Sequence, residues 1–149
     1  MATIRLTKEF RFEMAHALLG YDGACSNIHG HSYQLFVTVK GTPVHDSKSP
    51  KDGMVVDYSV LKKIVTEQIT SQLDHALVLN AAAPEDHLKH LQKMYKNIAL
   101  LPFQPTCENM LTYFAERIKK ILPAEISLHS MKLCETTTSF AEWFAEDNN

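Results

Sequence analysis

The chain has 149 residues, enough for one ordinary domain, and its 45% hydrophobic and 21% charged content exclude wholesale disorder. Lys+Arg number 15 against 17 Asp+Glu, and a net charge of -2 excludes a broadly basic nucleic-acid coat. No apolar run approaches the roughly 20 residues that span a bilayer, and Met1 to Arg11 mix charge with apolar residues, unlike a signal peptide.

The first element alternates. Ile4, Leu6, Phe10, Phe12, Met14 and His16 share one parity, and Arg5, Thr7, Glu9, Arg11 and Glu13 share the other. That period of two predicts a half-buried strand. Residues 17 to 30 carry three glycines with Asp22, Ser26 and Asn27 and read as a loop. Alternation resumes from His31 to Lys40, with Tyr33, Leu35, Val37 and Val39 on one side. A Gly41-Thr42-Pro43 break, a polar stretch and Met54-Val55-Val56 predict a wide turn and a short strand.

Asp57 is placed to cap a helix, whose apolar face is Leu61, Ile64, Val65, Ile69 and Leu73. Leu88, Leu91, Tyr95 and Ile98 form one stripe if 84–98 holds a short helix. Thr106 caps a third helix, with Leu111, Phe114, Ala115, Ile118 and Leu122 inward and Pro123 as its stop. Two last strands are predicted near 126–135 and 138–145. Strands, then helices, then strands predict an α+β domain: an antiparallel sheet with helices on one face.

Three cysteines are too few for a disulfide framework, so a reducing, cytoplasmic setting is expected. Eight histidines are the unusual count. His29 and His31 stand two apart and point to one face of a strand, while His16 ends the first strand on its apolar parity. Three imidazoles brought together by neighbouring strands match a catalytic zinc site, which leaves its fourth position open. Gly30 gives the backbone between them room to bend. The plainer readings are a hydrogen-bonded core histidine for His16 and a polar loop for His29 and His31.

Phe12-Glu13-Met14-Ala15-His16 and Cys25-Ser26-Asn27-Ile28-His29-Gly30-His31 resemble signatures of the 6-pyruvoyltetrahydropterin synthase and 6-carboxytetrahydropterin synthase family. Gly53-Met54-Val55-Val56-Asp57-Tyr58, Leu73-Asp74-His75, Pro105-Thr106-Cys107-Glu108-Asn109 and Cys134-Glu135-Thr136 resemble further motifs of that family, in order. The resemblance covers nearly all of a single domain, 1–149; the departure is a longer link between Asn80 and Gln104.

The resemblance implies a tunnelling fold, in which subunit sheets join into a barrel and two trimeric rings stack into a homohexamer with sites at subunit interfaces. It implies Zn²⁺ on His16, His29 and His31, proton transfer by Cys25, Asp74 and His75, and a pterin triphosphate as substrate. It makes Glu135 the acceptor for the pterin ring N–H groups, with Glu108 and Thr106 helping to hold the ring. Other readings stand beside these. Cys25 could be a fourth zinc ligand, Asp74-His75 a helix C-terminus, and Glu108 a first-turn acid that favours the helix dipole.

Two reactions fit one substrate, 7,8-dihydroneopterin triphosphate. Three residues between Cys25 and His29 resemble the queuosine-pathway branch, which forms 6-carboxy-5,6,7,8-tetrahydropterin with loss of acetaldehyde and triphosphate. The alternatives are the pyruvoyl-forming lyase of tetrahydrobiopterin synthesis and a zinc- and pterin-binding protein without turnover. No nucleic acid or membrane partner is expected.

Overall fold

A computed structural model describes all residues, 1–149. The alternating N-terminal segments form one long antiparallel hairpin, β1 (Ile4–His16) against β2 (His29–Gly41), in unbroken register from Ile4↔Gly41 to His16↔His29. That register puts Phe10, Phe12 and Met14 beside Leu35, Tyr33 and His31 on one face. Phe12 and Tyr33 stack there with ring centroids 5.1 Å apart and planes nearly parallel. The predicted strand at Met54-Val55-Val56 does not form. Val44 instead bonds back to Gly53 and Met54, which closes a wide turn and satisfies the backbone without a strand partner.

Helix α1 (Tyr58–Val65) starts at Asp57, whose Oδ1 accepts the Ser59 N–H at 2.8 Å while Oδ2 meets Lys51 Nζ at 2.6 Å. A π-helical turn (Thr66–Thr70) carries it into α2 (Ser71–Leu73). Then come β3 (Ala76–Asn80), α3 (Glu85–Met94), β4 (Ile98–Leu101), α4 (Cys107–Lys119), β5 (Ile126–Cys134) and β6 (Phe140–Phe144). The six strands form one sheet in the order β4-β3-β1-β2-β5-β6.

The sheet is mixed, and this corrects the all-antiparallel expectation. β1, β2, β5 and β6 pair antiparallel, but β3 runs parallel to β1 and β4 parallel to β3. The long link is therefore a β3–α3–β4 crossover, the connection that parallel neighbours require. Its helix ends at Met94, so Tyr95 and Ile98 leave the expected stripe, and Ile98 opens β4. Thr106 caps α4, accepting from Asn109 N–H at 3.2 Å. That helix stops at Lys119, before Pro123.

One apolar core joins the inner sheet face to α1, the π turn and α4 through Val37, Leu61, Ile69, Phe114, Ile118 and Leu133, all buried. Burial of each such side chain stabilises by about 1.5–3 kcal/mol. This core fixes the ends of β1 and β2, where His16, His29 and His31 lie.

Candidate active site

The hairpin register places His16 opposite His29, with His31 two residues on, and all three imidazoles project to the core face. Their donor atoms lie within 4.8 Å of one another. His16 is 2% exposed, while His29 and His31 are half-buried.

The backbone sets the tautomers. His16 Nδ1 donates to the Pro105 carbonyl at 2.7 Å, and His29 Nδ1 donates to the Asn27 carbonyl at 2.7 Å. A carbonyl only accepts, so both Nδ1 atoms carry protons, and in the neutral imidazoles both Nε2 atoms keep lone pairs. Those two Nε2 atoms face each other at 3.1 Å. Two lone pairs at that separation repel unless a proton or a cation lies between them. An imidazole held through its second nitrogen by a carbonyl is the usual support of a metal-bound histidine. Burial lowers the His16 pKa, against the opposing pull of the Pro105 carbonyl and Glu135, which favours the neutral form that ligates. The donor set therefore fits a divalent, nitrogen-seeking metal.

Glu135 reaches the same cluster from the end of β5. Its Oε1 lies 3.4 Å from His16 Nε2, 3.5 Å from His31 Nε2 and 3.4 Å from the Tyr33 hydroxyl. Burial, then Glu135, pushes the Tyr33 phenol well above its ordinary range, so it remains a donor. Glu135 thus borders two of the three histidines. Cys25 lies outside the cluster, exposed on a 3-10 turn, Ala24–Ser26. Cys107 is buried among apolar groups, and its thiol is pushed up to about 12. Glu108 is exposed, and the Thr106 hydroxyl is engaged as the helix cap. Gly30 does not bend the chain. It pairs with Ala15 in the ladder, where an added Cβ would meet the Met14 carbonyl at 3.3 Å, so its use is close approach.

Asp74 and His75 stand apart from the imidazole cluster. Asp74 is the C-cap of α2, its N–H donating to the Thr70 carbonyl at 2.9 Å, and His75 leads into β3, so the pair does stand at a helix C-terminus. His75 has φ +60°, a sparsely populated region for a residue with a Cβ, costing about 1–3 kcal/mol. Asp74 Oδ1 accepts the Glu13 N–H at 2.9 Å and faces His75 Nδ1 at 3.1 Å. The Glu13 N–H, then the His75 imidazole, hold the Asp74 carboxyl below its ordinary range despite some desolvation. The His75 side chain is 78% exposed. It borders a cavity of about 740 Å³ that Glu13, Ala15, Ser32 and Leu77 line from the outer sheet face, with His31 also on its wall. The structure therefore gathers His16, His29, His31 and Glu135 on the core face and presents Asp74–His75 on the other.

Pro105, Asn27, Tyr33, Glu13 and Asn97 support these groups and went unassigned in the sequence reading. Pro105 and Asn27 act through main-chain oxygens, which leave no mark on residue type. Tyr33 was legible only as a core position. Asn97 donates from Nδ2 to the Asp74 carbonyl at 3.2 Å.

A family model described as 6-pyruvoyl tetrahydropterin synthase matches residues 5–146. A 6-carboxy-5,6,7,8-tetrahydropterin synthase of Haemophilus influenzae is 36% identical over 141 residues, covering 93% of this chain and 97% of that one. A crystal structure of an uncharacterised Wolinella succinogenes protein superposes with a TM-score of 0.76 at 19% identity, over 97% of this chain and 99% of that one. The Caenorhabditis elegans 6-pyruvoyl tetrahydropterin synthase structure gives 0.68 at 23% identity, with 97% of each chain covered. These likenesses identify the fold as the tunnelling fold. No helix is long and apolar enough to cross a membrane.

Proposed function

The chain belongs to the 6-pyruvoyl tetrahydropterin synthase family, and from that premise we propose that it is a zinc-dependent lyase. It converts 7,8-dihydroneopterin triphosphate to 6-carboxy-5,6,7,8-tetrahydropterin, releasing acetaldehyde and triphosphate, in cytoplasmic queuosine precursor synthesis. The carboxy product is favoured by similarity to the Haemophilus influenzae 6-carboxy-5,6,7,8-tetrahydropterin synthase across almost the whole of both chains. The observation that carries the reading is the convergence of His16, His29 and His31, with two Nε2 lone pairs left facing by carbonyl-bound Nδ1 atoms.

His16, His29 and His31 hold the metal, and Pro105 and Asn27 orient two of them. Bound Zn²⁺ supplies Lewis-acid polarisation of substrate side-chain oxygens. Cys25 Sγ takes the proton from a side-chain carbon. Asp74 accepts from His75 Nδ1–H, which fixes the tautomer and leaves Nε2 free to exchange a proton. The Glu135 carboxylate accepts the adjacent ring N–H and amino N–H of the pterin, with Glu108 and Thr106 beside it.

Cys25 and His75 are exposed, and His75 lies on the face opposite most of the cluster. That placement supports a site completed by neighbouring subunits of a homohexamer. Joining sheets through their edge strands β4 and β6 also removes the open edges of a lone subunit.

Incubating zinc-loaded protein with 7,8-dihydroneopterin triphosphate and resolving products by mass tests the proposal. The carboxypterin with equimolar acetaldehyde is expected. A pyruvoyl product without acetaldehyde reassigns the reaction, and binding without turnover rejects the enzyme.

A further inference from the structure

The link from Asn80 to Gln104 closes on the Asp74–His75 pair through one residue. We infer that Asn97 is a positioning residue for His75, holding the strained turn that presents its imidazole to the cavity. The inference rests on the proposed role of Asp74–His75 in proton transfer.

The peptide unit joining Asp74 to His75 is pinned at both of its polar atoms. Its N–H, on His75, donates to the Glu13 carbonyl at 2.6 Å. Its carbonyl, on Asp74, accepts from Asn97 Nδ2 at 3.2 Å. Because a carbonyl only accepts, the Asn97 atom facing it must be the amide nitrogen. Just beyond His75, the Leu77 N–H donates to the Asn97 carbonyl at 3.0 Å. Asn97 therefore clamps the turn on both sides of His75, by side chain before it and by main chain after it.

Such a clamp has a task here. The chain leaves Asp74 extended, at φ −62° and ψ 124°, and turns left-handed at His75, with φ +60°. A non-glycine residue stays in that region only where its surroundings over-determine it. Glu13 fixes the Asp74 carboxylate and the His75 N–H from β1, but the Asp74 carbonyl is held from the β4 side alone. Without the amide, the peptide plane is free to rotate about one remaining bond, and the imidazole turns with it. Asn97 and His75 border the same cavity, so the clamp works at the edge of the site rather than in the core.

The test compares Asn97→Asp and Asn97→Ala with His75→Ala and the unmodified oligomer. Asn97→Asp keeps the shape but sets a carboxylate oxygen against the Asp74 carbonyl. It is expected to lower kcat by about tenfold to 10²-fold, the scale of a small misplacement of a reacting group. KM and metal content stay within about twofold, since neither contact reaches the histidine cluster. The limb of the pH–rate profile that His75→Ala abolishes is shifted in both Asn97 variants. A lowered melting temperature with unchanged kcat and pH profile overturns the inference, as that is all a structural bond would give. If Asn97→Ala fails to fold, Asn97→Asp alone decides. If His75→Ala itself keeps full turnover, the acid–base assignment falls and takes the inference with it. If His75→Ala is inactive while Asn97→Asp behaves as the unmodified protein, the positioning role alone is rejected.

Discussion

Replacing Asp74 by Asn separates the structural work of this carboxylate from its chemical work. Its Oδ1 meets two donors, the Glu13 N–H at 2.9 Å and His75 Nδ1 at 3.1 Å. The amide oxygen can still accept the Glu13 N–H, but as a neutral acceptor. A bond to a charged group contributes about 1.5–3 kcal/mol and a neutral one about 0.5–1.5. The side chain is 47% exposed, so solvent screening trims the difference to about 1 kcal/mol or less. For a chain of this size that is a melting shift of about 2–4 °C. Turnover should fall much further, by about 10²- to 10⁴-fold, because His75 loses the carboxylate that fixes its tautomer. The pH dependence has a definite sign. The folded carboxyl titrates below its ordinary value of about 3.9, so its stabilisation is complete above that pH and is lost as pH falls. The melting difference between the two proteins should therefore persist at pH 6 and shrink as the pH falls below about 3.9. Steady-state kinetics and thermal melts over that range check both parts. A kcat within about threefold of the unmodified protein, with the fold intact, would refute the assigned role.

Cys25→Ala should retain the metal and bind the pterin yet lose turnover by about 10²-fold or more; if zinc content falls with activity, the thiol is a ligand instead. Glu135→Gln should raise the Michaelis constant about tenfold, equivalent to about 1.4 kcal/mol, because the new amide sets a donor against a ring N–H. An unchanged Michaelis constant with a lowered melting temperature would assign Glu135 to structure through Tyr33 and the histidines. Co-refolding inactive His31→Ala with inactive His75→Ala should restore part of the activity, as the proposed sharing of each site between subunits requires. Complete failure to complement would place each site within one chain.

Where one face of an element is dry and the other wet, the sequence was easily read. β1 and β2 alternate over most of their length, with Lys8 and Phe36 the exceptions, and α1 and α4 show both their stripes and their caps, Asp57 and Thr106. β3, Ala-Leu-Val-Leu-Asn, and β4, Ile-Ala-Leu-Leu, are short apolar runs without alternation, so no period distinguishes them from a link. Parallel strands with buried neighbours characteristically lose that alternation. Met54-Val55-Val56 erred the other way. Its composition suits a strand, but its nearest polar partners lie in its own turn. At the site, His16, His29 and His31 were legible because the parity of two paired strands fixes their direction. Asp74 and His75 were visible only through resemblance, and their place on the outer face depends on β3 running parallel to β1. Glu135 lies far from the histidines in sequence, and the pairing of β2 with β5 brings it against them.

Elemental analysis of the purified protein beside His16→Ala, His29→Ala and His31→Ala tests the metal centre most directly. About one zinc per chain is expected in the unmodified protein. Each variant should lose most of it while keeping its secondary structure, because none of the three histidines belongs to the apolar core. Zinc retained in full by all three folded variants would contradict the account.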